Sequence, residues 1–218
     1  MRMFKFLADE EVAQIRAQLE TLQWQDGKET AIGGAKNIKN NQQITLRDPG
    51  FKSIAELINK KIMDKQSPIR SYAYPRVIVG MRANRYTEGQ TYGWHVDFSH
   101  MDGYRTDMSF TLFLAEPDSY EGGGLEITHG QYKTSVKGKP GEMVIYPTGL
   151  LHQVAPVTKG VRTCVVGWIN SFIPIEECRT ALFTIAVNNA KLKQELGERE
   201  EMKQINYAYF QLQRFLSD

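Results

Sequence analysis

"LLHQVAPVTKGVRTCVVGWI", Leu150 to Ile169, holds two apolar runs separated by Pro156 and the turn residues Thr158, Lys159 and Gly160. Both runs are rich in β-branched residues and too short for a helix, so the pattern predicts strands over 151–155 and 161–169 joined by a hairpin turn. The same texture extends from Tyr72 to Ile173. It is broken by Glu88-Gly89, Gly122-Gly123-Gly124, Lys139-Pro140-Gly141 and Pro147-Thr148-Gly149. Further strands are expected at 76–86, 92–98, 107–115, 125–128, 133–137 and 142–146. Eight short strands punctuated in this way predict a mainly β fold whose natural closed form is a jelly roll.

Helical periodicity flanks this region. Val12, Ile15, Leu19 and Leu22 recur at steps of three and four behind the acidic start Asp9-Glu10-Glu11, which suits the positive end of a helix dipole. Phe51, Ile54, Leu57, Ile58 and Ile62 repeat the pattern after Asp48-Pro49-Gly50, with Pro68 beyond the end. After Pro174 it returns through Leu182, Ile185 and Ala186, then through Met202, Ile205, Tyr209, Leu212 and Leu216. The last set resembles a coiled-coil seam of about two heptads. It is read chiefly as a face packed on the core, with a homodimer contact as the second reading. The expected organisation is an N-terminal helical region at 1–70 packed on the core, a jelly-roll core at 71–175 and a C-terminal helical extension at 176–218.

The totals narrow the partners. The 218 residues are 41% hydrophobic, enough for one substantial core. Lys and Arg number 27 against 25 Asp and Glu, and a net charge of +2 leaves no electrostatic footprint for nucleic acid or an acidic membrane. No stretch approaches the roughly 18 apolar residues of a membrane span, and the acidic turn after "MRMFKFLADEEV" is unlike a secretory signal. A cytoplasmic location is expected. Cys164 and Cys178 are read as reduced packing residues.

The chemistry begins with "TYGWHVDFSH", Thr91 to His100. On a strand, His95 and Asp97 would share a face with Cα atoms about 6.7 Å apart. Alone, the pair is as well explained by a hydrogen bond as by a metal. His152, 57 positions after His95, supplies a second imidazole. Two histidines and a carboxylate on one face are the ligand set of iron(II) oxygenases, which leave positions open for co-substrate and oxygen. His129, between turn glycines, and His100, beyond its strand, fit less well. A keto-acid co-substrate brings a second carboxylate that an arginine fork matches. Arg162 opens the apolar strand "VRTCVVGWI", and folding back at 158–160 would set it within a residue or two of His152 in one ladder. Along "RVIVGMRANRY", Arg82, Asn84 and Tyr86 share one face and Val79, Met81 and Ala83 the other. If the apolar set meets the helices, the polar set lines the barrel mouth, where Tyr86 could donate its hydroxyl to the co-substrate. Arg82, Asn84 and Arg105 hint at a polar or anionic target, with surface charge the equally good explanation.

"RYTEGQTYGWHVD", "RTDMSFTLFLAEPDSYEGGGLEI" and "YPTGLLHQVAPVTKGVRTCVVGWINSFI" together resemble the iron(II)- and 2-oxoglutarate-dependent dioxygenases of the PKHD-type hydroxylase group, the PiuC-like proteins. The likeness extends from "DGKETAIGGAKNIKNNQQI" to "YAYFQLQRFL", nearly the whole chain. It implies a double-stranded β-helix core, iron(II) on His95, Asp97 and His152, and 2-oxoglutarate on Arg162. It also implies O2 as oxidant and names L-ascorbate as a candidate reductant. The reaction implied is decarboxylation of 2-oxoglutarate to succinate coupled to C–H hydroxylation. Where the family usually reads "EGGEL" this chain reads "EGGGL", which touches no ligand. Neither a small molecule nor a protein side chain is singled out as substrate. A catalytically silent jelly-roll binding module and a cupin-like enzyme are the rival readings; both commonly lack the arginine.

Overall fold

Alternation along residues 75–86 sets the architecture: one face of this strand is apolar and backs onto helices, and the other is polar and faces a cavity. The computed structural model describes residues 1–30 and 33–217. Ala31 and Ile32, inside the Asp26–Ile44 stretch quoted above, and Asp218, at the end of the C-terminal extension, lie outside the described residues.

The chain begins with β1 (Arg2–Lys5), α1 (Asp9–Glu20) and β2 (Gln25–Asp26). A 3-10 turn (Gly27–Thr30) leads to α2 (Ala35–Ile38), β3 (Lys39–Asn40), β4 (Gln42–Thr45), α3 (Pro49–Met63) and α4 (Pro68–Ala73). The central region carries β5 (Pro75–Tyr86), β6 (Thr91–His95), β7 (His100–Met101), β8 (Tyr104–Arg105), β9 (Met108–Phe113) and β10 (Tyr120–Gly122). It continues through β11 (Leu125–His129), β12 (Tyr132–Val136), β13 (Glu142–Pro147), β14 (His152–Val154), β15 (Val157–Gly160) and β16 (Arg162–Ser171). Helices α5 (Glu176–Leu196) and α6 (Glu200–Leu216) close the chain.

A seven-stranded sheet runs β1-β13-β9-β16-β5-β4-β2, and a five-stranded sheet runs β12-β11-β14-β6-β3. Their inner faces meet. Phe113, Val144 and Tyr146 of the larger sheet pack with Leu125 and Ile127 of the smaller, and Tyr86 packs with Val154. This is the jelly-roll arrangement expected from the strand spacing.

The outer face of the larger sheet is covered by α1 and α3. Asp48 caps α3 by accepting from Gly50 N at 2.8 Å and Phe51 N at 3.3 Å, with Pro49 at the first helical position. Phe51, Ile54, Ile58 and Ile62 then lie buried against Met81, Ala83 and Leu112. Each such burial is worth about 1.5–3 kcal/mol, which fixes β5 with its polar face inward. At the other end, α5 and α6 pack on each other, and Tyr74, Ile173 and Leu182 form a cluster that Tyr209 and Leu216 flank.

Three expectations change. Residues 1–70 are not only helical: β1 and β4 join the larger sheet directly, β2 extends it through β4, and β3 joins the smaller. These strands span two to four residues, too few to carry a period. Pro68 lies beyond the end of α3, as expected, and opens the short α4. Strand β6 ends at His95, so Asp97 lies past it rather than two positions along it. Val157–Gly160, read as a hairpin turn, is strand β15, which pairs with Tyr120–Gly122. The chain therefore crosses between sheets there, and His152 and Arg162 occupy opposite sheets rather than one ladder.

Candidate metal centre and co-substrate pocket

The backbone ladder brings the two histidines together. His152 of β14 is the direct partner of His95 of β6, with ring centroids 4.3 Å apart. Each ring is oriented by its own strand. His95 Nδ1 lies 2.8 Å from Gly93 O and His152 Nδ1 lies 2.9 Å from Leu150 O. A carbonyl only accepts, so both Nδ1 atoms carry a proton, and Nε2 is the atom each neutral ring would offer a metal. Burial, the largest influence on His152, also favours its neutral form.

Asp97 faces those nitrogens. Its Oδ1 is 3.6 Å from His95 Nε2 and its Oδ2 is 3.6 Å from His152 Nε2, too long for hydrogen bonds. The carboxylate is held from the opposite sheet: Oδ2 accepts from Ser109 Oγ at 2.9 Å and from Trp168 Nε1 at 2.8 Å. Ser109 and Trp168 are themselves ladder partners of β9 and β16. Burial alone would raise the Asp97 pKa; positive charge on His95 and His152, where they are protonated, and the Trp168 N–H bring it down to about 2. One donor atom from each of the three residues lies within 4.8 Å of the other two. Two imidazole nitrogens and a carboxylate converging this closely need a positive charge among them, from a proton or a cation. The arrangement fits a divalent metal bound on one face, with the rest of its coordination sphere open to the cavity.

A cavity of about 360 Å³ opens from this cluster between the sheets. At its inner end is Arg162, 2% exposed, donating to Cys164 Sγ at 3.0 Å. Among the described residues its Nε finds no hydrogen-bond partner; the buried Tyr120 hydroxyl, which feels the guanidinium charge, makes no hydrogen bond of normal geometry. Tyr86, its ladder partner, lies with its ring 5.3 Å from the guanidinium. A desolvated guanidinium with a weak thiol acceptor on one nitrogen and none on Nε is costly, and a carboxylate of matching shape would satisfy it. Tyr86 is 2% exposed, and burial keeps its hydroxyl protonated well above the ordinary tyrosine range.

Arg82, Asn84 and Tyr86 all line the cavity, as their shared face required. Arg105 does not: it donates from Nε to Asp107 Oδ1 at 2.6 Å and from Nη2 to Ser171 O at 3.1 Å, bracing β8 against β16. His129 stands exposed at the end of β11. His100 is exposed at the cavity rim, outside the three-donor cluster. Ser109, Trp168, Tyr92 and Lys39 were not singled out from sequence. Trp168 had a signal, since alternation from Arg162 puts it on the same face. Tyr92, stacked on His95 at 3.6 Å, sits two positions from Trp94 in a strand whose inward face the sequence leaves open.

Comparison with known proteins agrees with this geometry. The profile of the 2OG-Fe(II) oxygenase superfamily matches residues 81–170. The chain is 42% identical to a PKHD-type hydroxylase of Prochlorococcus marinus strain MIT 9313, over 94% of this chain and 93% of that one. It is 38% identical to the PKHD-type hydroxylase YbiX of Escherichia coli, over 97% and 96%. Among solved structures it resembles a Pseudomonas putida prolyl-4-hydroxylase, with a TM-score of 0.54 and 19% identity over 78% of this chain and 91% of that one. HygX of Streptomyces hygroscopicus, solved with nickel and 2-oxoglutarate bound, aligns with a TM-score of 0.55 and 14% identity over 78% and 82%. At those identities the structural likeness speaks for the fold.

Proposed function

The chain belongs to the PKHD-type hydroxylases of the 2OG-Fe(II) oxygenase superfamily, and from that premise we propose that His95, Asp97 and His152 hold iron(II) while Arg162 receives the distal carboxylate of 2-oxoglutarate. The protein is an iron(II)- and 2-oxoglutarate-dependent hydroxylase. The observation that carries the site assignment is the convergence of one donor atom from each of three residues within 4.8 Å beside a fully buried arginine whose Nε has no partner among the described residues.

Iron(II) and 2-oxoglutarate bound there supply the chemistry, using O2 to turn the keto acid into succinate and carbon dioxide and a substrate C–H bond into C–OH. The remaining contributions come from the chain itself. Gly93 and Leu150 carbonyls fix the histidine tautomers so that Nε2 faces the metal position. Ser109 and Trp168 tie the Asp97 carboxylate to the opposing sheet and keep it ionised. Arg162 anchors the co-substrate by charge and fork geometry, and the Tyr86 hydroxyl, protonated throughout the physiological range, is available to donate to it. Tyr146, Val154 and Leu125 wall the cavity and exclude water around the co-substrate.

Slow succinate formation without any added substrate tests the assignment. Wild-type protein with iron(II) and 2-oxoglutarate in air is expected to release succinate, and Asp97→Ala is expected to release none above background. Equal release from both would remove Asp97 from the metal site.

Three narrower readings accompany this. L-ascorbate, which keeps iron ferrous, is carried as a reductant; its addition should prolong turnover. Operation in the cytoplasm is supported by two free cysteines, and none of the described helices is long and apolar enough to cross a membrane. Pairing of two copies through α6 is supported by exposed Ile205, Phe210, Leu212 and Phe215 on that helix, and light scattering would report it. The substrate is a small molecule or a protein side chain.

A further inference from the structure

A second cationic group lines the same cavity, away from Arg162. Lys39 comes from β3 at the edge of the smaller sheet and is 4% exposed. Its Nζ donates to Thr30 Oγ1 at 2.9 Å and to Gln43 Oε1 at 3.2 Å, and lies 5.4 Å from the Tyr92 ring. Arg82 comes from β5 and donates from Nη1 to the same Thr30 Oγ1 at 3.0 Å. Its guanidinium rests on the Trp168 ring at 4.8 Å, and its Nε donates to Gly80 O at 3.2 Å. Gly80 is at φ +63 in a bulge where β5 has an extra residue against β16; a Cβ there would lie 2.9 Å from Trp168. The bulge lets Arg82 turn onto the indole that holds Asp97.

Two cations thus converge on one neutral hydroxyl oxygen. Among the described residues neither forms an ion pair; every partner found is neutral. Burial and Arg82 together depress the Lys39 pKa to about 7, a mark of how poorly the local environment compensates its charge. The largest pull in the other direction is that of Asp97, a residue assigned to the metal, followed by Asp26.

Formal charge points the same way. With 2-oxoglutarate bound, the charges of the metal, Asp97, the co-substrate dianion and Arg162 cancel. Lys39 and Arg82 then remain as buried positive charge on the cavity wall, opposed by the exposed carboxylates of Asp26 and Asp102, neither of which forms an ion pair with them among the described residues. They cannot serve the distal carboxylate that Arg162 takes, because Arg82 is four residues from Tyr86 along β5, about 13 Å from the Arg162 rung.

We propose that Lys39 and Arg82 bind an anionic group, a carboxylate or a phosphate, on the substrate that is hydroxylated, and so set the substrate class. The inference rests on the iron(II) and 2-oxoglutarate reading of the same cavity. Because Arg82 lies on Trp168, and Trp168 bonds Asp97, the anion is held next to the metal-binding residues. A substrate C–H bond a few atoms from that anion would lie at the reacting position.

The test uses full-length protein loaded with zinc(II), which is diamagnetic, and saturating 2-oxoglutarate. Benzoate, phenyl phosphate and benzamide are titrated by ligand-observed NMR. One or both anions should bind at least about fivefold tighter than benzamide, and whichever is tighter identifies the group. Lys39→Gln and Arg82→Gln should each weaken the anion about tenfold while leaving benzamide and 2-oxoglutarate affinity near wild type. Lys39→Arg should restore the anion preference, which a merely misfolded site would not. Anions binding no tighter than benzamide, or equally to all variants, would overturn the proposal. So would an anion driven off by 2-oxoglutarate, since the pair would then belong to the co-substrate. Arg162→Ala in the same assay separates the two readings: unchanged 2-oxoglutarate affinity there would sink the functional assignment, whatever Lys39 does.

Discussion

Arg162 and Arg82 enter one cavity from neighbouring strands of the larger sheet, yet their surroundings differ. Arg162 is sealed at the inner end among Tyr86, Phe113 and Cys164, all on long paired strands. Arg82 lies at the other end, on a bulged stretch, sharing Thr30 with a lysine brought in by a two-residue strand. The first setting suits an invariant ligand that must be gripped in one pose. The second is assembled from short N-terminal pieces that can vary without disturbing the barrel, which is where selectivity for a particular substrate is cheapest to change. The same contrast divides the metal donors from their supports: the histidines are fixed by a ladder rung within one sheet, whereas Asp97, on the segment after β6, is held by a hydrogen-bonded pair of the other.

The largest effect separating the two ends is expected at Arg162. Arg162→Ala leaves a buried carboxylate unmatched and should weaken 2-oxoglutarate by about 3 kcal/mol, roughly a hundredfold, as read by calorimetry. The anion preference governed by Lys39 should survive in that variant. Comparable losses at Arg162 and Arg82 would erase the distinction between the ends.

A smaller effect is expected where they touch. Trp168→Phe keeps a ring beneath Arg82 but removes the hydrogen bond to Asp97 Oδ2. Iron(II) affinity should fall roughly 10–100-fold, the usual cost of losing a support to a metal ligand, with 2-oxoglutarate affinity at saturating metal little changed. Retained iron affinity would mean that Ser109 alone positions the carboxylate.

The mildest effect is a pH dependence confined to the outer end. Lys39 faces Arg82 on β5, Asp97 after β6, Asp26 on β2 and Tyr92 on β6; burial and Arg82 lower its pKa to about 7 while the two aspartates oppose them. Tyr92, pushed up to about 12 chiefly by burial, stays neutral over the range. Lys39 is charged below pH 7 and loses its proton above it. Benzoate affinity should therefore be full below pH 7 and fall by up to about tenfold per unit above it, until the neutral-lysine value is reached. In Lys39→Arg the profile should be flat to at least pH 9, and a matching fall there would assign the titration to another group.

Sequence reading reached the two ends unequally, and for physical reasons. The strand at 75–86 is legible because burial on one face writes a period of two, and 142–147, buried on both faces, because it is a short apolar run bounded by Gly141 and Gly149. His95, Asp97, His152 and Arg162 stood out as the residue types that iron and a keto acid require. Their connection was misread. Val157–Gly160 has the composition of a turn, and only pairing with Tyr120–Gly122 makes it a strand that carries the chain to the opposite sheet. Lys39 lies in the polar run "NIKNNQQI", which has no apolar period, and its burial comes from the register of β3 on β6. Such a residue is invisible until tertiary structure places it.

The most direct test of the metal and co-substrate assignment is anaerobic titration of the protein with iron(II) and 2-oxoglutarate, followed by visible absorbance. The account predicts a weak charge-transfer band that appears only when both are present, is lost in Asp97→Ala, and requires far more 2-oxoglutarate in Arg162→Ala. A band of wild-type strength in Asp97→Ala, or none in the wild type, would contradict it.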